Sequence, residues 1–141
     1  MSKGDNIYIL DTSALLTFIE DEDGAGYIEN LLIEAEKGEV ALHIAFISLA
    51  EVFYIIAREQ NESVALDKIN LIQSLAIQIY ESNESLNICA GRLKAANSIS
   101  LADAYIAALC QEQNGILVHK DPEYEKLSLL LKEYRLPYKV L

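Results

Sequence analysis

The chain has 141 residues, of which 52% are hydrophobic, 23% charged and 8% aromatic, and its 11 basic against 22 acidic residues give a net charge of −11. Length and apolar content fit one globular domain over residues 1–141 with a sizeable core, and exclude intrinsic disorder, because enough surface can be buried to offset chain entropy. The acidity argues against nucleic-acid partners, whose binding rests on Lys and Arg displacing counterions from phosphates.

Residues 6–10 form a short β-branched and aromatic run ending at Asp11 and predict a buried strand. Thr12–Ile19 reads as a helix. After an acidic loop punctuated by Gly24 and Gly26, Ile28, Leu31, Leu32 and Ala35 recur at helical spacing, with Gly38 as a stop. A second strand is expected at residues 40–44. Ser48 is expected to open a helix running to about Gln60, with Leu49, Val52, Phe53 and Ile56 on one face. Ala65, Ile69, Ile72, Ala76 and Ile79 step by four and three, the stripe of an amphipathic helix. It overlaps a third strand near residues 78–81. Helices follow at residues 83–96 and 100–113, and Gly115 breaks the second of them before a strand at residues 116–118. Residues 122–134 read as partly helical, and a last strand is expected at residues 138–141. Strands alternating with helices of this length imply an α/β fold: a central, mostly parallel sheet of four or five strands with helices on both faces.

Cys89 and Cys110 show no disulfide or zinc spacing and read as buried free thiols of a reducing compartment. The first residues lack the charged start and long apolar region of a signal peptide. Residues 40–57 carry a single formal charge, Glu51, yet a membrane span needs about 20 apolar residues and tolerates a central carboxylate poorly. The expectation is a cytoplasmic protein without a membrane segment.

Three acids stand alone in apolar surroundings: Asp11, Glu51 and Asp103. Desolvating an isolated carboxylate costs several kcal/mol unless it is paired, hydrogen-bonded or bound to metal. Helix capping is one compensation. Ser48-Leu49-Ala50-Glu51 and Ser100-Leu101-Ala102-Asp103 both match the capping box, Asp11 can cap a helix starting at Thr12, and Asp121 one starting at Pro122. Metal binding is the other. All four acids fall where a strand ends or a helix begins, positions that gather at the carboxyl edge of a parallel sheet. Acids converging there repel unless a cation holds them, and all-oxygen ligation suits Mg²⁺ or Mn²⁺. A local echo, Ile47-Ser48-Leu49-Ala50-Glu51-Val52-Phe53 and Ile99-Ser100-Leu101-Ala102-Asp103-Ala104-Tyr105, suggests two helix starts that each present a carboxylate from a first turn.

With these residues placed, the sequence resembles the PIN-domain nucleases, and among them the VapC-type toxins of toxin-antitoxin pairs. The matching segments are Tyr8-Ile9-Leu10-Asp11-Thr12-Ser13, Ser48-Leu49-Ala50-Glu51-Val52, Ile99-Ser100-Leu101-Ala102-Asp103-Ala104-Tyr105-Ile106-Ala107-Ala108 and Ile116-Leu117-Val118-His119-Lys120-Asp121-Pro122-Glu123-Tyr124. In order and spacing they cover nearly the whole chain. The resemblance implies a metal-dependent ribonuclease on a Rossmann-like PIN fold, with Asp11, Glu51, Asp103 and Asp121 around one or two Mg²⁺ or Mn²⁺ ions and Ser13 in a supporting hydrogen bond. It also implies RNA as substrate, a protein antitoxin as partner and a homodimer. His119 departs from the family, which usually carries a small hydroxyl residue there, so either the site's edge has altered chemistry or His119 turns aside. Glu123 and Glu125 stand close enough to substitute for Asp121.

The remaining inventory is compatible with that chemistry. No nucleophilic triad and no phosphate-cradling Gly-rich loop is present. His43 reads as a core residue, the tyrosines as core and surface, and Glu20-Asp21-Glu22-Asp23 as a solvated loop. Arg58, Lys94 and Lys120 fit either a phosphate contact or a solvated face. The rivals are a Mg²⁺-dependent phosphatase, whose nucleophilic Asp needs a second Asp where this chain has Ser13, a non-catalytic PIN-fold interaction module, and a PIN nuclease outside any toxin-antitoxin pair. The charge is no bar to RNA: residues 1–39 hold 10 acids and 2 bases, whereas residues 40–141 hold 12 acids and 9 bases. Metal at Glu51, Asp103 and Asp121 leaves that larger part near neutral.

Overall fold

The computed structural model describes residues 6–127 and 130–137. Within them five strands form one sheet: β1 (Ile7–Leu10), β2 (Ala41–Ala45), β3 (Gln78–Tyr80), β4 (Ile116–His119) and β5 (Lys132–Arg135). All are parallel, in the order β3-β2-β1-β4-β5. The helices described between them are α1 (Thr12–Ile19), α2 (Ala25–Glu36), α3 (Phe46–Glu59), α4 (Glu62–Ser74), α5 (Glu84–Ala96) and α6 (Leu101–Gln113), with a 3-10 turn at Pro122–Leu127.

Successive strand residues point to opposite layers, as the pleat dictates. Ile9 and Leu117 join Leu86, Ala90 and the apolar residues of α6, while Leu10, Leu42, Ile44 and Val118 join Leu15, Ile28, Val52, Ile56 and Ile72. Helices α5 and α6 therefore cover one face and α1 to α4 the other, the two-sided burial that parallel strands need. Gly115 lets β4 start tightly against β1. A Cβ there would collide with the Ile9 side chain and stand 3.1 Å from the Ile7 carbonyl oxygen.

Several local expectations change. Helix α3 begins at Phe46 rather than Ser48, because β2 runs into it without a loop and Ala45, in extended backbone, is its N-cap. Ser48 is thus a fully buried residue inside the helix, and no capping box joins it to Glu51. The apolar stripe from Ala65 leaves the helix at Ser74: Ala76 lies beyond α4 and Ile79 belongs to β3, whose own alternation turns it to the core. Residues 132–135, expected to be partly helical, instead pair with β4 in register, Leu117 against Glu133. The strand expected at residues 138–141 lies outside the described residues. Both cysteines are free, but Cys89 is only half-buried. Among the described residues no helix is long and apolar enough to cross a membrane.

Candidate metal centre

With the order β3-β2-β1-β4-β5, the winding direction reverses between β1 and β4, and open parallel sheets leave a crevice at the carboxyl ends of such a strand pair. Asp11 sits at that point, its amide donating to the Val118 carbonyl of β4 at 3.1 Å. Asp121 follows β4, Asp103 enters from the first turn of α6 and Glu51 from the second turn of α3.

Asp11 is 2% exposed and caps α1, its Oδ1 accepting from the Ala14 amide at 2.8 Å. Ser13 Oγ lies 2.7 and 2.8 Å from the two carboxylate oxygens and donates to them, while accepting from the Lys120 amide at 2.8 Å. Ser13 thus ties the start of α1 to the end of β4. Burial pushes the Asp11 carboxyl up to about 7, against the hydrogen bonds from Ser13 and Ala14 that favour its charge. The charges of Asp121 and Glu51 raise it further. Capping and convergence therefore coexist at one residue.

Asp103 is 8% exposed, and its amide donates to the Ser100 hydroxyl at 3.1 Å, so Ser100 caps α6 as expected. Its carboxyl is pushed up to about 8 by burial, then by a hydrogen bond with Glu123 and the charge of Asp121. The Tyr124 hydroxyl, donating to Asp103 Oδ1 at 3.0 Å, opposes that rise. Carboxylate oxygens of Asp103, Asp121 and Glu123 all lie within 4.8 Å of one another. Asp121 Oδ1 also accepts from the Glu123 amide at 2.9 Å, which starts the 3-10 turn and carries both acids toward α6.

Glu51 stands slightly apart. Thr12 Oγ1 donates to Glu51 Oε1 at 2.6 Å and lies 3.1 Å from Ser48 Oγ. Asp11 and Glu51 are outside the 4.8 Å triad: the charge of Asp11 acts on Asp103, and that of Glu51 acts on Asp11. Glu123, named from sequence only as a substitute for Asp121, joins it as a third acid. Thr12 and Tyr124 carried no signal in the sequence.

His119 turns aside from the acids. Its ring is fully buried 4.9 Å from the Tyr124 ring, and Nδ1 accepts from the Asp121 amide at 3.2 Å. The proton then sits on Nε2, 3.8 Å from Glu133 Oε1 of β5. Burial holds the imidazole below its ordinary pKa, with Glu133 opposing. His43 is likewise buried, in β2 against Tyr80. The acidic loop is not wholly solvated: Lys120 Nζ donates to the Asp23 carbonyl at 3.1 Å and lies 3.7 Å from Glu22.

Buried Asp11 and Asp103, with half-buried Asp121 and Glu123 beside them and no described Lys or Arg paired to any of the four, fit a hard divalent cation. An all-oxygen donor set selects Mg²⁺ or Mn²⁺ over softer metals.

The PIN domain family model matches residues 8–129. The fold is similar to that of VapBC2 from Rickettsia felis, solved bound to a DNA fragment from their promoter, at 20% identity and TM-score 0.74, covering 93% of this chain and 99% of that one. It is also similar to a toxin-antitoxin complex from Klebsiella pneumoniae at 16% identity and TM-score 0.65, covering 94% and 99%. A third similar structure is Mycobacterium tuberculosis VapC20, a sarcin-ricin loop cleaving toxin, at 13% identity and TM-score 0.67, covering 86% and 95%. No curated protein matches the chain. With the family's model spanning most of its length and the five-stranded parallel sheet in place, the chain belongs to the PIN domain family.

Proposed function

We propose that the chain is a divalent-metal-dependent endoribonuclease that hydrolyses RNA phosphodiester bonds, acting within one domain over residues 1–141 as the toxin of a toxin-antitoxin pair. The observation that carries this reading is the triad of Asp103, Asp121 and Glu123 within 4.8 Å, beside a buried Asp11 whose charge it opposes. Asp11, Asp103, Asp121 and Glu123 would hold Mg²⁺ or Mn²⁺, with Glu51 as a further ligand or the group that positions a water. A cation bound there supplies a water of lowered pKa and stabilises charge on the attacking and leaving oxygens of the phosphodiester.

The chain's own residues hold this set in place. Ser13 orients both oxygens of Asp11, Thr12 holds Glu51, Tyr124 holds Asp103, and His119 fixes the Asp121 backbone. A phosphatase reading gains no support, since both Asp11 oxygens are engaged by Ser13 and Ser13 occupies the place a second acid would need. A protein antitoxin as partner is supported by the similar toxin-antitoxin complex and by exposed Tyr54, Leu66 and Leu71 on the α3–α4 hairpin. A homodimer and a cytoplasmic location belong to the same proposal.

The test is cleavage of single-stranded RNA in Mn²⁺, with loss in EDTA and recovery when Mn²⁺ is restored. Equal cleavage with and without the ion would remove the reading. A finer check is Tyr124→Phe, which keeps the ring against His119 and deprives Asp103 of its donor. Mn²⁺ affinity by calorimetry is expected to fall about tenfold, the lower range for groups that orient metal ligands. An unchanged affinity would leave the hydroxyl with a packing role only.

A further inference from the structure

Two ammonium groups converge on the loop that leads into the acid-bearing helix. Lys94, in the last turn of α5, donates from Nζ to the Ile99 carbonyl at 2.8 Å, and Lys126, in the 3-10 turn, donates to the Ser98 carbonyl at 2.7 Å. Ordinary helix termination accounts for Lys94, since a cation at a helix C-terminus favours the free carbonyls and the dipole. It does not account for Lys126, which arrives from another element.

Of the described lysines and arginines, only Lys120, beside Glu22, and Arg135, against Glu125 and Glu133, have a carboxylate within 4.0 Å. Among the described residues, neither Lys94 nor Lys126 has an acidic partner within 4.0 Å. Each uses one N–H on a neutral carbonyl and keeps the rest of its donors and its full charge for something else.

Their position relative to the acids follows from helix geometry. In a 3-10 turn, residues three apart eclipse one another, so Lys126 shares a face with Glu123, whose carboxylate meets Asp103. The loop both lysines grip ends at Ser100, the cap of α6, one turn before Asp103. The pair therefore borders the acid cluster on the α5–α6 side, where it offers positive charge next to a site that repels a polyanion.

We propose that Lys94 and Lys126 form a phosphate-backbone subsite that seats single-stranded RNA beside the acid cluster. The proposal rests on the ribonuclease reading above. The acids, once neutralised, hold the phosphodiester to be cut, and the two lysines hold the strand next to it.

The experiment compares wild type with the Lys94→Gln/Lys126→Gln and Lys94→Arg/Lys126→Arg proteins on single-stranded RNA in Mn²⁺ across a series of salt concentrations. Neutralising both lysines is expected to raise KM about tenfold and to flatten the slope of log KM against log salt by about 1.4, at about 0.7 per phosphate contact on a single strand. Mn²⁺ affinity by calorimetry and kcat at saturating RNA are expected to stay at wild-type values. The arginine protein is expected to recover both KM and slope. If wild type cleaves RNA and the glutamine protein keeps its KM and slope, the subsite is overturned and the ribonuclease reading stands. If Mn²⁺ affinity falls together with RNA affinity, the lysines act by holding the α6 start and the subsite is also overturned. Absence of cleavage by wild type would overturn both readings.

Discussion

Asp103→Asn is expected to abolish RNA cleavage while making the metal-free protein more stable. The substitution is nearly isosteric. Asn keeps an oxygen to accept the Tyr124 hydroxyl and presents an amide to Glu123, so the hydrogen bonds at this corner survive. What it removes is a carboxyl that ionises in a buried position only at about pH 8, hydrogen-bonded to Glu123 and facing the charges of Asp121 and Asp11. A buried like-charge cluster is a stability cost that a functional site bears. At pH 8 in EDTA the variant should melt higher, by roughly 1–2 kcal/mol of added stability, since a tenfold change in a protonation equilibrium corresponds to about 1.4 kcal/mol and solvent at the rim of the cluster screens part of the repulsion. With Mn²⁺ present, kcat/KM should fall on the order of 10³-fold or more, the scale of removing a group that stabilises transition-state charge. Calorimetric melting and single-turnover cleavage read the two effects separately. A variant that is inactive and also less stable would assign Asp103 a structural role, and an active variant would remove it from the site.

The parts of this arrangement that follow from chain-local chemistry were legible in the sequence. Asp11 ends a β-branched run and precedes a helix, Ser100 caps a helix bearing Asp103, and Asp121 follows a short strand next to Pro122; in a parallel sheet such positions share an edge. The structure brings Asp11, Asp103 and Asp121 into mutual electrostatic reach at that edge. The repeated Ser-Leu-Ala-acid pattern, by contrast, does not mark equivalent places. Ser100 is a cap, whereas Ser48 is buried inside α3 because β2 passes directly into the helix, which moves Glu51 into the second turn. Thr12 and Tyr124 were illegible for a different reason. Their hydroxyls meet acids 39 and 21 residues away in sequence, and only the docking of α3 and α6 on the sheet decides those pairs. The strand β5 escapes a sequence reading because Lys132–Arg135 is charged and mostly exposed, an edge strand without the apolar alternation that reveals a core one. The acidic loop read as solvent-facing also acquires a partner through tertiary placement, since Lys120 reaches back to Glu22 and Asp23.

The acids also set how stability responds to pH, and the sign separates them from the two buried histidines. Asp11 and Asp103 are raised from 3.8 to about 7 and about 8. As pH rises from 4, the unfolded chain ionises these two groups while the folded one retains their protons, so folding loses stability up to about pH 8 and no further. His43 and His119 act in the opposite sense. Burial lowers both, so below their ordinary value of 6.5 the unfolded state binds protons that the folded state refuses, and stability falls as pH drops. Between pH 6.5 and 8 the carboxylates dominate, since the histidines contribute only the end of their titration. In EDTA, raising the pH across that window should cost on the order of 2 kcal/mol, at about 1.4 kcal/mol per pH unit per group, or roughly 5–10 °C in Tm. A saturating divalent cation should reverse the trend, because it binds the ionised carboxylates and excess ion at 100 times Kd adds about 2.7 kcal/mol. Scanning calorimetry at pH 6.5 and 8.0, in EDTA and in Mg²⁺, reads this directly: the Mg²⁺-induced rise in Tm should be larger at pH 8.0. Parallel pH dependences with and without the ion would mean that the acids buried at the switch point do not bind it.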